Sequence, residues 1–159
     1  MTPSEIAGVE SATGVKLPET YRRALQTHDL SGDWEDHPEF VTDPNVLITE
    51  NKHFTMNPED LSEIRSPGLV GALKFFLLYG SGKRVLATRR KWYDTWVKGK
   101  RFVIGSDLGE EQYFIVLSDP TTAVHCYELE TQRSRRVASS AEDWLLEVKR
   151  RQAEAESEA

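Results

Sequence analysis

Two helices and the corner between them are predicted by Ile6-Ala-Gly-Val-Glu-Ser-Ala-Thr-Gly-Val-Lys-Leu-Pro-Glu-Thr-Tyr21. Apolar residues recur at helical spacing as far as Gly14, and a glycine there can adopt the left-handed conformation that ends a helix. The preceding Thr2-Pro-Ser-Glu5 has the form of a capping box with proline at the first helical position. Pro18 is placed to open the second helix, after a short extended link.

The second helix has one apolar face and one basic face. Tyr21, Leu25 and His28 share one side at helical spacing, which leaves Arg22 and Arg23 on the other. The apolar side is therefore expected to pack in the core.

The pattern changes from helical to alternating in Arg101-Phe-Val-Ile-Gly-Ser-Asp-Leu-Gly-Glu-Glu-Gln-Tyr-Phe-Ile-Val-Leu117. Phe102 and Ile104 point to one face, and Tyr113 to Leu117 is an apolar run rich in β-forming residues. The stretch from Gly105 to Gly109 is predicted to be the turn between them. Together these segments predict a β-hairpin.

Further strands and a closing helix follow the hairpin. Asp119-Pro120 predicts a turn, Ala123 to Tyr127 a strand, and Arg135 to Val137 a short edge strand. Ser139 and Glu142 suggest a second capping box. The helix after it has an apolar face made of Ala141, Trp144, Leu145 and Val148.

This order of elements predicts an α+β fold, with a mostly antiparallel sheet packed against N-terminal and C-terminal helices. Between them we expect a helix from Pro58 to Ile64, capped by Asn57, and a strand from Lys74 to Tyr79. The sequence does not determine the strand order within 44–100.

Length and composition indicate one domain, which we place at 1–150, followed by a polar tail at 151–159. The tail is either the end of a helix or a disordered segment. The single cysteine, Cys126, cannot form an internal disulfide, so we expect a cytoplasmic protein. No stretch has the roughly 18 consecutive apolar residues of a membrane span, so no membrane partner is expected.

The charges are segregated along the chain, whose net charge is -6. Residues 24–51 contain no Lys or Arg but hold seven acids: Asp29, Asp33, Glu35, Asp36, Glu39, Asp43 and Glu50. Residues 83–101 contain eight Lys or Arg and one acid. The acids either form a surface for a basic partner or neutralise the basic segment within the fold.

Nucleic acid is not an expected partner, although Trp92, Tyr93 and Trp96 are interleaved with basic residues as stacking platforms would be. Their spacing fits an amphipathic helix with its aromatic side chains in the core. An acidic chain would also repel phosphate groups.

Catalytic and metal-binding motifs are incomplete. Gly80-Ser-Gly-Lys83 lacks the first glycine and the final Ser/Thr of a phosphate-binding loop. The four histidines have no ligand spacing, and His125 and Cys126 would point to opposite faces of a strand. Asp107, Glu110 and Glu111 could be paired carboxylates, although acids in a hairpin turn are more often solvated. We therefore expect no enzyme, no metal and no cofactor.

The two stretches resemble the SUKH superfamily of bacterial toxin-immunity proteins, which also includes yeast cell-wall regulators. Members have a helix of the form I-x-x-x-E-x-x-x-G, then Leu-Pro and an aromatic-bearing helix, then a sheet with an I-G-x-x-G-like turn and a closing helix. The positions that match these features are Ile6, Glu10, Gly14, Leu17, Pro18, Tyr21, Ile104, Gly105 and Gly109. The likeness covers about half of the chain and is weak between Asp29 and Lys100.

The resemblance implies a protein that neutralises a cognate protein toxin, such as a nuclease, by stoichiometric binding. We expect the partner to contact an acidic surface with Trp34 as its anchor. The predicted partner-binding residues are Asp33, Trp34, Glu35, Asp36, Glu39, Asp107, Glu110 and Glu111. Two alternatives are a regulatory module that binds several host proteins and an enzyme that uses Asp107, Glu110 or His125. The oligomeric state is undetermined.

Overall fold

A computed structural model describes residues 1–27, 39–55, 94–107 and 111–158 of the chain. The helix predicted from Pro58 to Ile64 and the strand predicted from Lys74 to Tyr79 lie outside the described residues, as does His28.

Helix α1 spans Pro3–Thr13 and helix α2 spans Glu19–Thr27. The predicted capping box is confirmed, because Thr2 and Glu5 each accept a hydrogen bond from the other's backbone N–H. Gly14 ends α1 with φ +68°, as predicted. The buried face of α2 includes Tyr21, as expected from the pattern.

A third helix, α3, spans Pro44–Glu50 and was not predicted. Asp43 is its N-cap, with its side chain accepting from the N–H groups of Asn45 and Val46. The Asp-Pro pair is a recognisable start signal for a helix. A 3₁₀ turn at Lys52–Phe54 follows α3.

The described sheet has four antiparallel strands in the order β1-β2-β3-β4: Arg101–Asp107, Glu111–Val116, Val124–Glu128 and Arg133–Ala138. Each strand pairs with the one before it in sequence. Helix α4, Ala141–Glu158, closes the chain. The predicted α+β fold with an antiparallel sheet is confirmed.

Two local predictions were wrong. The turn was expected to begin at Gly105, but β1 continues to Asp107 because a bulge between Val103 and Gly105 keeps the later residues paired with β2. The cap of α4 is Ser140 rather than Ser139, since Ser140 Oγ accepts from Asp143 N at 3.0 Å. Helix α4 therefore begins one residue later than the predicted box requires.

The two faces of the sheet pack into different clusters. The inner face carries Phe102, Ile104 and Cys126, and it packs with α1, α2, α3 and α4 in the main core. On the outer face, Trp96 from a π-helical turn at Asp94–Lys98 packs against Val103 and Phe114. The prediction that Phe102 and Ile104 share a face is confirmed, and Trp96 is buried as predicted.

Helix α4 buries Ala141, Trp144, Leu145 and Val148 against the main core, as predicted. The helix continues into the residues assigned to the polar tail, as far as Glu158. Its later turns bring Arg151 beside the segment that contains Glu39.

Candidate functional site

A cleft of about 820 Å³ opens between the N-terminal half of α4, strand β4, the end of the β1–β2 hairpin and Glu39. Three of the predicted partner-binding residues line it: Glu39, Asp107 and Glu111. Its other lining residues are Tyr113, Arg135, Arg136, Val137, Ala138, Ser139, Asp143, Trp144, Glu147 and Arg151. The fold thus brings together acids that lie far apart in the sequence.

Two aromatic rings form the base of the cleft. The ring centroids of Tyr113 and Trp144 are 4.8 Å apart, and the side chains are almost completely buried. Tyr113 projects from β2 and Trp144 from the first turns of α4. These rings join the cleft to the main core, so its base is part of the rigid fold.

Glu39 is held in place by two residues of α4. Its carboxylate accepts two hydrogen bonds from the Arg151 guanidinium, at 3.0 and 2.7 Å. Its backbone carbonyl accepts a hydrogen bond from Trp144 Nε1 at 3.1 Å. The Arg151 guanidinium also lies 5.1 Å from the centre of the Trp144 ring. Glu39 is therefore neutralised within the fold by Arg151, which lies outside the basic segment 83–101 that was expected to neutralise the acids.

Glu111 also has partners within the cleft. Its carboxylate accepts a hydrogen bond from Tyr113 Oη at 2.8 Å and one from Arg135 Nη2 at 3.1 Å. The hydrogen bond from Tyr113 is the main cause that lowers the pKa of Glu111, and Arg135 adds to it. Burial, with a smaller contribution from the bond to Glu111, raises the pKa of Tyr113. Glu111 is therefore an anion and Tyr113 a hydrogen-bond donor at neutral pH.

Asp107 lies directly opposite Glu111 in the β1–β2 pairing. Like charges at directly opposed positions repel each other. No described side chain forms a hydrogen bond or ion pair with Asp107. Asp107 is thus a cleft-lining acid without a cation among the described residues.

Negative charge dominates the cleft lining. Five carboxylates face three guanidinium groups in the lining. The Asp143 carboxylate accepts a hydrogen bond from the Ser139 hydroxyl, and the Asp143 backbone N–H donates to Ser140 Oγ. Those hydroxyl groups lower the pKa of Asp143, which keeps it ionised. The cleft can therefore attract a basic group of a partner.

The remaining predicted partner-binding residues, Asp33, Trp34, Glu35, Asp36 and Glu110, lie outside the described residues. Sequence reasoning missed Tyr113, Trp144, Arg135 and Arg151 as cleft residues. The two aromatic residues had been predicted only as core, and the arginines carried no local signal.

The described ranges contain no cluster of metal ligands, and their histidine and cysteine side chains do not converge. No group of three or more His, Cys, Asp or Glu side chains there could hold a metal ion. His125 and Cys126 do lie on opposite faces: the His125 ring stacks on Phe114, while Cys126 is in the main core. Among the described helices, none is long and apolar enough to cross a membrane.

The geometry defines an α+β domain whose helices cover one face of an antiparallel sheet, with an acidic cleft at one end. A family model described as SMI1 / KNR4 family (SUKH-1) matches residues 1–147. The chain belongs to this family. Searches of curated proteins and of solved structures found no match.

Proposed function

We propose that this chain is a bacterial immunity protein that neutralises a cognate protein toxin by stoichiometric binding. The family to which it belongs is known for immunity proteins. The observation that supports a binding role for this chain is the convergence of Glu39, Asp107 and Glu111 on one cleft. The partner would be a toxic enzyme with a basic active-site region, such as a nuclease.

Binding to a basic region follows from the charge of the cleft. Asp107 and Asp143 have no cation among the described residues, so an incoming Arg or Lys side chain would gain a partner without displacing one. Charge complementarity speeds encounter and disfavours wrong partners. Occupying the basic region of a nuclease would exclude its phosphate-bearing substrate.

The acidic segment at 33–36 is the second part of the proposed surface. Asp36 is three residues from Glu39 in the sequence. Glu39 itself lies in the cleft. In this proposal Trp34 supplies the desolvated anchor and Asp33, Glu35 and Asp36 supply charge.

The test is to purify the tagged protein from its native host, identify its partner by mass spectrometry and titrate the partner's toxic activity. One tight partner whose activity falls to zero near a one-to-one ratio supports the proposal. Several non-toxic partners would indicate a regulatory module instead. The absence of any partner would contradict the proposal and favour an enzyme.

Charge variants then locate the surface. Asp107→Asn with Glu111→Gln should weaken inhibition at least about tenfold if these acids contact the toxin. The matched control is Glu19→Gln, because Glu19 is an exposed acid on α2, whose neighbour Thr20 contacts the turn at the opposite end of the sheet. Unchanged binding after charge reversal at Asp33, Glu35 and Asp36 would remove that segment from the surface.

A further inference from the structure

A second charged surface, of the opposite sign, lies on the outer face of the sheet. The Arg101 guanidinium is 4.6 Å from the centre of the Phe114 ring and 5.8 Å from that of Trp96. The His125 ring stacks on Phe114 with centroids 5.4 Å apart. Arg136 is the cross-strand neighbour of His125 and therefore lies on the same face.

Both guanidinium groups are held in place by neutral acceptors. Arg101 Nη1 donates to Ser134 Oγ at 3.1 Å. Arg136 donates to the backbone carbonyls of Ala138 and Ser139 at 3.2 and 3.3 Å. These bonds orient the guanidinium groups without neutralising their positive charges.

Neither Arg101 nor Arg136 pairs with a carboxylate in the described part of the chain. Arg135 and Arg151, by contrast, pair with Glu111 and Glu39. Unpaired and oriented guanidinium groups are unexpected in a chain of net charge -6. A fixed guanidinium on an aromatic support loses little side-chain entropy when it binds an anion, and it can bind a carboxylate through two hydrogen bonds.

The two arginines also act on His125. Burial is the main cause that lowers the pKa of His125, and the charges of Arg101 and Arg136 lower it further, while Asp119 opposes them. An anion bound between the arginines would offset their charge and raise this pKa. The pKa of His125 therefore reports whether an anion is bound between Arg101 and Arg136.

We propose that the outer-face surface formed by Arg101, His125, Ser134 and Arg136 is a docking site for an acidic segment of a partner protein. Arg136 also lines the edge of the acidic cleft, so Arg101, His125 and Ser134 are the residues that distinguish this surface from it. Charge complementarity identifies the partner's carboxylates as the groups recognised.

Nucleic acid fits this surface less well. Proteins that bind single-stranded nucleic acid stack its bases on exposed aromatic rings. Trp96 and Phe114 are only 3% and 1% exposed, and Arg101 and His125 already lie against them. A second copy meeting edge to edge along β4 would bring exposed arginines of the two copies together.

The experiment uses the full chain with a blocked peptide of alternating Glu and Thr, and the matching Gln and Thr peptide as its control. NMR follows the titration of His125 and gives the affinity. The Glu peptide should bind and raise the pKa of His125, and the Gln peptide should not. Arg101→Gln and Arg136→Gln should each weaken binding about tenfold.

Arg23→Gln is the matched control. Arg23 is exposed on α2, and its substitution removes the same charge on the helical side of the domain. It should change the affinity by less than about twofold. Melting temperatures establish that the variants fold. If Arg101→Gln does not fold, the affinity of Arg136→Gln for the Glu peptide tests the proposal instead.

Four results would overturn the proposal. The first is that the Glu peptide binds no more tightly than the Gln peptide. The second is an equal loss of affinity in all three arginine variants. The third is tighter, arginine-dependent binding of a single-stranded oligonucleotide. The fourth is self-association of the free chain that Arg101→Gln abolishes, which would assign the surface to a second copy.

Discussion

Glu39 and Arg151 form a two-point ion pair across 112 positions of sequence, with N–O distances of 3.0 and 2.7 Å. The pair connects the residues just before α3 to the later turns of α4. Arg151 lies beyond the 1–147 range that the family model matches. The contact is thus supplied by a part of the helix outside that range.

We expect a coupling energy of about 1 kcal/mol between Glu39 and Arg151 in a double-mutant cycle with Glu39→Gln and Arg151→Gln. The side chains are 22% and 39% exposed, which places the pair between a solvated surface pair and a buried one. Urea denaturation gives the free energies of unfolding. The coupling should shrink in high salt. A value near zero in low salt would show that the pair adds nothing to stability.

Asn51 should be the most sensitive polar residue in the described core. Its side chain accepts from Val103 N at 2.8 Å and donates to Val103 O and Leu47 O, both at 2.9 Å. Asn51→Ala would leave buried backbone groups unpaired, at a cost of about 2–4 kcal/mol. Thermal melting should show a fall of about 5–15 °C. Asn45→Ala, at an exposed position of α3, should change the melting temperature little.

Gly14 and Gly8 should respond in opposite directions to alanine. Gly14 has φ +68°, so Gly14→Ala should destabilise the fold by about 1 kcal/mol. Gly8 is inside α1, where an added Cβ would meet nothing within 4 Å. Gly8→Ala should stabilise the fold by about 0.5–1 kcal/mol. Urea denaturation of the two variants checks the signs, and equal signs would contradict the assigned helix end.

Glu111 should contribute stability that depends on pH. Its pKa in the folded chain is lowered below the ordinary value of 4.5, mainly by the hydrogen bond from Tyr113. The contribution is therefore fully present above about pH 4.5 and is lost as the pH falls through the lowered value. Glu111→Gln should cost stability at pH 7 in urea denaturation, and this cost should decrease as the pH is lowered below 4.5 through the lowered pKa of Glu111. Tyr113→Phe should reduce the same pH-dependent difference, and an unchanged difference would assign it to other groups.

Sequence reasoning succeeded where an element depends on near neighbours. The capping box at Thr2 and Glu5 and the glycine end of α1 involve residues a few positions apart, so their chemistry can be read directly. It failed at the bulge after Val103, because the extra residue is visible only in the pairing with β2. It also misplaced the cap of α4, where two adjacent serines offer the same side chain and only the backbone geometry distinguishes them.

The cleft was predicted only in part. Its acids were selected from charge alone, and the structure places Glu39, Asp107 and Glu111 together. Charge patterning does not reveal which acids have internal cations. Arg135 and Arg151 neutralise two of the three, and Asp107 has no such partner among the described residues.

The sequence by itself determined α1, α2, α4 and the approximate positions of the strands, together with the α+β class and the family resemblance, because periodicity, capping and turn chemistry act over a few residues. Only the tertiary structure decided that Glu39 meets Arg151 and that Arg101 meets Ser134. The tertiary structure also places the acidic cleft and the basic groups of the outer face on different parts of the surface. These relationships depend on how strands pair and helices pack, and side chains distant in sequence meet only after that packing has placed them.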